Sequence, residues 1–377
     1  MALKALGLAS NHKVYQICFV IALGFLAIKL VLTKYSAVEL IAVILLVLVS
    51  MIGLIHAKEQ TYFLAVISIA GMRGINFKDL MKHTFWVHLW CTIIAIAGGM
   101  MGLLYDKTDG VMHSYGYMDY NVLFVNVFIL CALVIYLRYD RISWVELVIT
   151  SAMAMVGFYF SRSRTGMILF VFLWGMIALD QLHEKKQQNK KRAKEEGREE
   201  SNSLFHARFG RRKKSLYRYV VLIPVVMMAI SFILPALYNA FEKTKIMYKI
   251  NHALTGRLFI ARYYLKLYPF SLFGNSYTFW SENAGEILEI VDNLYITIYL
   301  YSGLVMLLLY IGALTWLMVS MVRRGYRKEL MITAVLAVYA FMEEFPLNPS
   351  VNPFLLLLGA CIYGFDAIDC GYERKQS

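Results

Sequence analysis

The sequence predicts an all-α, polytopic transmembrane helix bundle, and three observations carry that prediction. Apolar residues make up 59% of the 377 positions and the mean hydropathy is +0.57, where an ordinary soluble domain holds roughly 45–50% apolar residues. Charged residues are only 17% of the chain, and they gather between long apolar runs instead of alternating with them. Those runs approach the ~20 residues that carry a helix across a bilayer core, and the ~10-residue alternating strands of a membrane β-barrel do not occur. Tyr (26), Phe (23) and Trp (6) are abundant, as expected where rings sit at headgroup level.

Taken in order, spans are expected near residues 15–32, 37–55, 84–104, 119–137, 143–160, 166–182, 219–239, 293–319, 329–345 and 353–368. The first is read as a retained helix, because no small-residue cleavage site follows its short apolar core. Segment 61–71 is apolar over about half a span and reads as a re-entrant or tilted helix. The expected total is about 10–12 spans in a single integral membrane domain, 1–377. Cys18, Cys91, Cys131, Cys361 and Cys370 form no CxxC pair, so neither a disulfide framework nor a zinc site is indicated.

Basic residues in short loops orient such a bundle, because they stay on the cytoplasmic side. Loop 183–219 carries 13 Lys/Arg against 5 Glu, which is +8 of the net +13. The excess charge is therefore one cytoplasmic tether attracted to anionic lipid, and it does not indicate nucleic acid. Arg138 with Arg141, Arg73 with Lys78 and Lys82, and Arg323 with Arg324, Arg327 and Lys328 fall on the same side. Segments 105–118, 161–165, 240–292 and 343–352 are left on the extracytoplasmic side. The N-terminus, with Lys4 and Lys13, is expected inside if 61–71 re-enters.

Everything chemically unusual lies on that outer side. A charge at membrane depth costs at least ~2.5–3.5 kcal/mol, so one retained there marks a candidate site. Arg162 and Arg164 sit in Ser161-Arg-Ser-Arg-Thr-Gly166, wedged between two spans, and face an anion, a structural carboxylate or lipid headgroups. The planar guanidinium fork suits phosphate. In the long loop, Thr255-Gly256-Arg257 opens a stretch with Leu258, Ala261, Leu265 and Tyr268 at helical spacing before Pro269, which predicts an amphipathic helix at the interface. Arg257 is in its first turn, where free backbone N–H groups also attract anions. Asp292 precedes Asn293 and Tyr295 at the mouth of the next span and reads as a base, a binding acceptor or, as is usual there, a helix cap. Glu343 and Glu344 end another span ahead of Pro346, Asn348, Pro349, Asn352 and Pro353. Carboxylates so placed are expected to be protonated or paired with these arginines. His113, Tyr117, Asp119 and Asn121 form a further polar, glycine-containing approach to a span. No Walker loop, GxGxxG, HExxH or GxSxG supports a nucleotide or metal site.

Together these motifs resemble the Wzy-type polysaccharide polymerases of the O-antigen ligase and polymerase superfamily, in particular the capsule and exopolysaccharide polymerases of Gram-positive bacteria. The resemblance rests on Gly71-Met-Arg-Gly-Ile-Asn-Phe-Lys-Asp79, Ser114-Tyr-Gly-Tyr-Met-Asp-Tyr-Asn121, Ser163-Arg-Thr-Gly166, Leu254-Thr-Gly-Arg257, Leu272-Phe-Gly274 and Asp292-Asn-Leu-Tyr295, in family order. Members often carry a basic residue, frequently Arg, just before the Ser-x-Gly segment, and His113 stands there in this chain.

The resemblance implies a GT-C-type glycosyltransferase of the plasma membrane. It would act on undecaprenyl-diphosphate-linked oligosaccharides at the outer face without metal, nucleotide sugar or other cofactor. A flippase would supply the substrate and a chain-length regulator would act alongside. In that chemistry Arg164, Arg162 and Arg257 are the expected diphosphate binders. Glu343, Glu344, Asp292 or His113 would take the acceptor proton, and Asn293, Tyr295, Tyr117, Asn121 and Asn352 would contact substrate, with Tyr277 and Trp280 as stacking surfaces. A ligase moving finished glycan to another acceptor is the nearest alternative. A polytopic lipid or glycan transporter is the alternative from another class, although mid-span ionisable residues are few and the two halves do not look alike.

Overall fold

The computed structural model describes residues 13–57, 60–117, 119–139, 142–195, 219–242, 244–275 and 291–365. Lys4, Arg141, the basic loop from 196 to 218, Ser276, Tyr277, Trp280 and Cys370 lie outside the described residues.

Helices dominate: α1 (Lys13–Leu32), α2 (Ala37–Ala57), α3 (Gln60–Ala70), α4 (Phe77–Met100), α5 (Tyr120–Arg138), α6 (Trp144–Ser161), α7 (Arg164–Glu195), α8 (Ile223–Phe241), α9 (Lys245–Ala253), α10 (Arg257–Leu267), α11 (Leu294–Arg324), α12 (Arg327–Tyr339) and α13 (Ala360–Tyr363). Among the described residues the only strands are β1 (Thr108–Asp109) and β2 (Met112–His113), an antiparallel hairpin. Segments of α2, α4, α5, α6, α7, α8 and α11 are long and apolar enough to cross a bilayer. The chain is an all-α, multi-pass membrane bundle.

Local chemistry sets the helix ends. Ser143 and Glu146 form a reciprocal capping box at the start of α6, and Asn76 accepts the Asp79 amide at the start of α4. Gly325, in the left-handed region, closes α11 because no Cβ opposes that conformation. The 11 residues of α3 rise ~16 Å, about half a bilayer core, as the length of the 61–71 run implied.

The expected spans at 329–345 and 353–368 take a different form. Helix α12 stops at Tyr339, and 3-10 turns follow at Phe345–Leu347 and Pro353–Gly359 before the short α13. Pro346, Pro349 and Pro353 remove backbone donors and fix φ. Asn352 closes this proline-rich turn by accepting the Phe354 amide (3.1 Å) and donating to the Pro346 carbonyl (2.8 Å). Most of the segment is buried in protein, which is where irregular backbone is tolerated in a membrane protein.

Helix α5 is the centre of the bundle, buried at almost every position from Leu123 to Tyr136, with α11 and α12 beside it. Helices α1 and α2 turn apolar side chains such as Val31 and Val38 outward. Exposed apolar surface on this scale is a lipid-facing belt.

Helix α11 is broken at Gly303 (φ 81°, ψ −179°), and the 271–275 segment fills the break. The Asn275 amide donates to the Leu300 carbonyl (2.9 Å), while Leu304 and Val305 donate to the carbonyls of Ser271 and Leu272 (both 3.1 Å). Gly303 lies about 14 Å along the helix at 1.5 Å per residue, so part of the 240–292 loop enters the bundle. The two backbones meet because both positions are glycine. A Cβ on Gly274 (φ 91°) would overlap the Tyr301 carbonyl, and one on Gly303 would overlap that of Leu272.

Distant segments meet at the two ends. At one, the Tyr139 hydroxyl donates to Asp180 (2.6 Å), which also pairs with Arg327 (3.6 Å). At the other lie the 105–119 loop, the Ser161–Arg164 turn, Arg257, Asp292 and Glu343, the four segments that loop charge had grouped together.

Candidate functional site

Arg257 is the first residue of α10, behind two consecutive left-handed residues, Thr255 (φ 53°) and Gly256 (φ 84°). A β-branched residue at positive φ is an outlier costing on the order of 1–3 kcal/mol, and here it aims the arginine inward. Arg257 Nη2 donates to Asp292 Oδ2 (2.9 Å) and Glu343 Oε1 (3.1 Å), and Nε also reaches Asp292 (3.3 Å). The guanidinium and Glu343 are 15% and 14% exposed, Asp292 35%.

The two acids are brought together by backbone. Leu294, opening α11, donates to the Ala340 carbonyl (2.8 Å) just past α12, and Glu343 donates to the Tyr339 carbonyl (3.0 Å). Asn293 caps α11, accepting the amides of Tyr295 and Ile296. That frees Asp292 from the capping role usual at its place and leaves it to Arg257. Burial pushes Glu343 up to about 8, with the Asp292 charge adding to the rise and Arg257 opposing it.

A small, narrow cleft opens beside this cluster. Pro235, Leu258, Ala261, Ile296 and Phe341 give it apolar walls, and Arg257 and Asp292 stand in its lining. The apolar stripe of α10 expected at the interface instead packs inward, with Leu258, Ala261 and Tyr264 buried.

The Ser161–Arg164 turn reaches the cluster through Tyr339. Arg162, left-handed at φ 53°, caps α6, and α7 begins at Arg164, so both arginines splay outward and are exposed. Arg162 lies over the Tyr159 ring at 5.5 Å, and neither arginine is ion-paired among the described residues. Ser163 is buried. A Cβ on Gly166 would fall 2.6 Å from the Tyr339 hydroxyl, and that fully buried tyrosine interacts electrostatically with both Glu343 and Arg257. Glu344 is exposed, and its charge adds to the rise of Glu343.

His113 belongs to a separate construction. Asp106 shares a hydrogen bond with His113 Nδ1 (2.7 Å) and accepts the amides of Ser114 (2.9 Å) and Tyr115 (2.8 Å). Burial works to raise the Asp106 carboxyl, but the hydrogen bonds from His113, Tyr115 and Ser114 hold it below its ordinary value. His113 stacks on Tyr115 at 4.8 Å. Nearby, Lys107 pairs with Asp119 (2.8 Å), and the Asp119 charge reaches Glu343. Asp106→Ala is expected to destabilise the protein by ~1–3 kcal/mol, since two half-buried amides lose their acceptor. Thermal melting in detergent should show it falling further than His113→Ala.

The remaining predicted contacts are engaged within the fold. Tyr117 donates to Thr92 (3.3 Å), Tyr295 to the Ala337 carbonyl (2.6 Å) and Asn293 to Ser231 (3.1 Å), all buried. Asn352 closes the proline turn, and Asn121 is half-buried in the first turn of α5. Sequence reasoning missed Asp106, Tyr339 and a buried hydrogen bond between His88 and Asn126 (2.9 Å). The Asp109-Gly110 pair, a hairpin-turn signal, could have exposed the first. Among the described residues no three His, Cys, Asp or Glu side chains gather as a metal site.

No protein-family model, curated protein or solved structure matches this chain.

Proposed function

We propose that the chain is a glycosyltransferase that polymerises undecaprenyl-diphosphate-linked oligosaccharide repeats into surface polysaccharide, at the outer face of a bacterial plasma membrane. The observation that carries this reading is Arg257 held between Asp292 and Glu343 in the lining of an apolar cleft, at the bundle end that also holds Arg162 and Arg164. An apolar wall beside a guanidinium suits an amphiphile with an anionic head. The ordered motifs of the sequence supply the sugar chemistry.

In this mechanism the acceptor hydroxyl attacks the anomeric carbon of the growing glycan and the carbon–oxygen bond to the lipid diphosphate breaks. Arg257, with Arg164 and Arg162 exposed at the same end of the bundle, stabilises the charge gathering on the departing diphosphate, the kind of preorganised stabilisation that contributes most to such reactions. The incoming diphosphate competes with Glu343 and Asp292 for Arg257. Glu343 released in this way takes the proton of the attacking hydroxyl. A base is most effective with a pKa near the working pH, and Glu343 is at about 8.

Only ionised Glu343 accepts a proton, so activity should rise roughly tenfold between pH 7 and 9. Glu343→Gln should lose that limb along with ~10²–10⁴-fold in rate. Wild-type activity that declines over the same interval would make Glu343 a proton donor instead. In the cell, deletion of the gene should leave single repeats on the lipid carrier. Long chains stranded on the carrier would identify a ligase.

A further inference from the structure

Helix α9 (Lys245–Ala253) buries none of its residues against the protein. Isolated helices shorter than ~12–15 residues are marginal in water, so a nine-residue helix that buries no residue fully in the protein needs another surface to remain folded. Its sides differ in chemistry. Ile246, Met247, Ile250 and Ala253 follow one another around one side, and Lys245, Lys249 and His252 around the other. Ile246 is 70% exposed, and neither lysine has a carboxylate partner among the described residues. The nearby Glu242 is occupied by Arg262 at 2.5 Å.

The position of α9 names what covers it. It begins four residues after the last residue of α8, a helix of membrane-crossing length, and the neighbouring helices also carry exposed apolar residues, Phe241 on α8 and Phe259 and Leu267 on α10. An amphipathic helix of this kind lies in the headgroup plane, its apolar side against acyl chains and its lysines beside anionic headgroups.

We infer that α9 is an interfacial anchor that docks on anionic lipid headgroups through Lys245 and Lys249. Its position is passed to Arg257 by rigid connections. The Asn251 carbonyl accepts the Gly256 amide (2.9 Å) and the Asn251 side chain accepts the Phe259 amide (3.2 Å), so α9 and the start of α10 move together. The inference does not depend on the reaction the site performs.

The test is hydrogen exchange of the 245–253 peptide in the full chain, reconstituted in nanodiscs of phosphatidylcholine alone or mixed with phosphatidylglycerol. Exchange should slow several-fold in the anionic discs, and Lys245→Glu/Lys249→Glu should abolish that difference. A nitroxide at position 246 in the anionic discs should collide more with oxygen than with a water-soluble nickel chelate, and one at position 249 the reverse. Exchange independent of lipid charge would overturn the anionic recognition. Equal nickel access at 246 and 249 would overturn the anchoring itself.

Discussion

Arg257→Ala is expected to reduce chain extension ~100-fold or more while the protein still inserts and accumulates, the scale of loss when one preorganised donor is taken from a charged transition state. Arg257 is the one described cation that touches both Asp292 and Glu343, so no neighbour replaces it. Removing it leaves two carboxylates without their cation, which can itself destabilise a protein. Glu343 limits that effect because burial already favours its neutral form. Arg257→Lys separates the two contributions: a point charge remains, but the fork that reaches both acids is gone, and extension should recover only in part. Arg164→Ala is the cleaner companion. Arg164 is exposed and ion-pairs with nothing among the described residues, so its loss should remove activity with little change in melting temperature. Polymer of wild-type length from both alanine variants would end the diphosphate assignment.

Gly274→Ala is expected to have the largest effect on the fold, abolishing accumulation or lowering stability by more than ~3 kcal/mol. Left-handed strain on a non-glycine residue costs about 1–3 kcal/mol, and here the new Cβ also overlaps the Tyr301 carbonyl. Relieving the overlap would pull 271–275 out of the break in α11 and strand the amides of Leu304 and Val305 inside the bundle, where unpaired backbone groups are costly. Gly312→Ala in the same helix is the control, because nothing lies within 4 Å of a Cβ there. It should be neutral or slightly stabilising, since alanine is the better helix former. Detergent-solubilised yield and melting temperature read both, and a Gly274→Ala protein that behaves like Gly312→Ala would remove the break from the account.

What the sequence made legible follows from which forces act locally. Apolar run lengths located most helices, and basic loops grouped the four polar segments that meet at one end. The break at Gly303 was hidden because Tyr301-Ser-Gly-Leu304 lies in a continuous apolar run, and one glycine there reads as a tolerated helix residue. Only the approach of Leu272 and Gly274, some thirty residues earlier, changes its meaning. In the same way Asp292 and Glu343 were recognisable as acids at span ends, but three arginines competed to be their partner. The bond between Leu294 and Ala340 decides the matter by placing both acids at Arg257. Asn293, Tyr295, Tyr117 and Asn352 carry the polar chemistry of binding residues, and the fold uses that chemistry for caps and buried hydrogen bonds.

The central claim is that Arg257, set between Asp292 and Glu343, serves glycosyl transfer from a lipid diphosphate. Purified protein incubated with undecaprenyl-diphosphate-linked repeat units, with and without chelator, tests it most directly. A ladder of lengthening lipid-linked glycans is expected from the wild type, unchanged by chelator and absent with Arg257→Ala. Repeats left unextended by active, folded wild-type protein, or an equal ladder from Arg257→Ala, would contradict it.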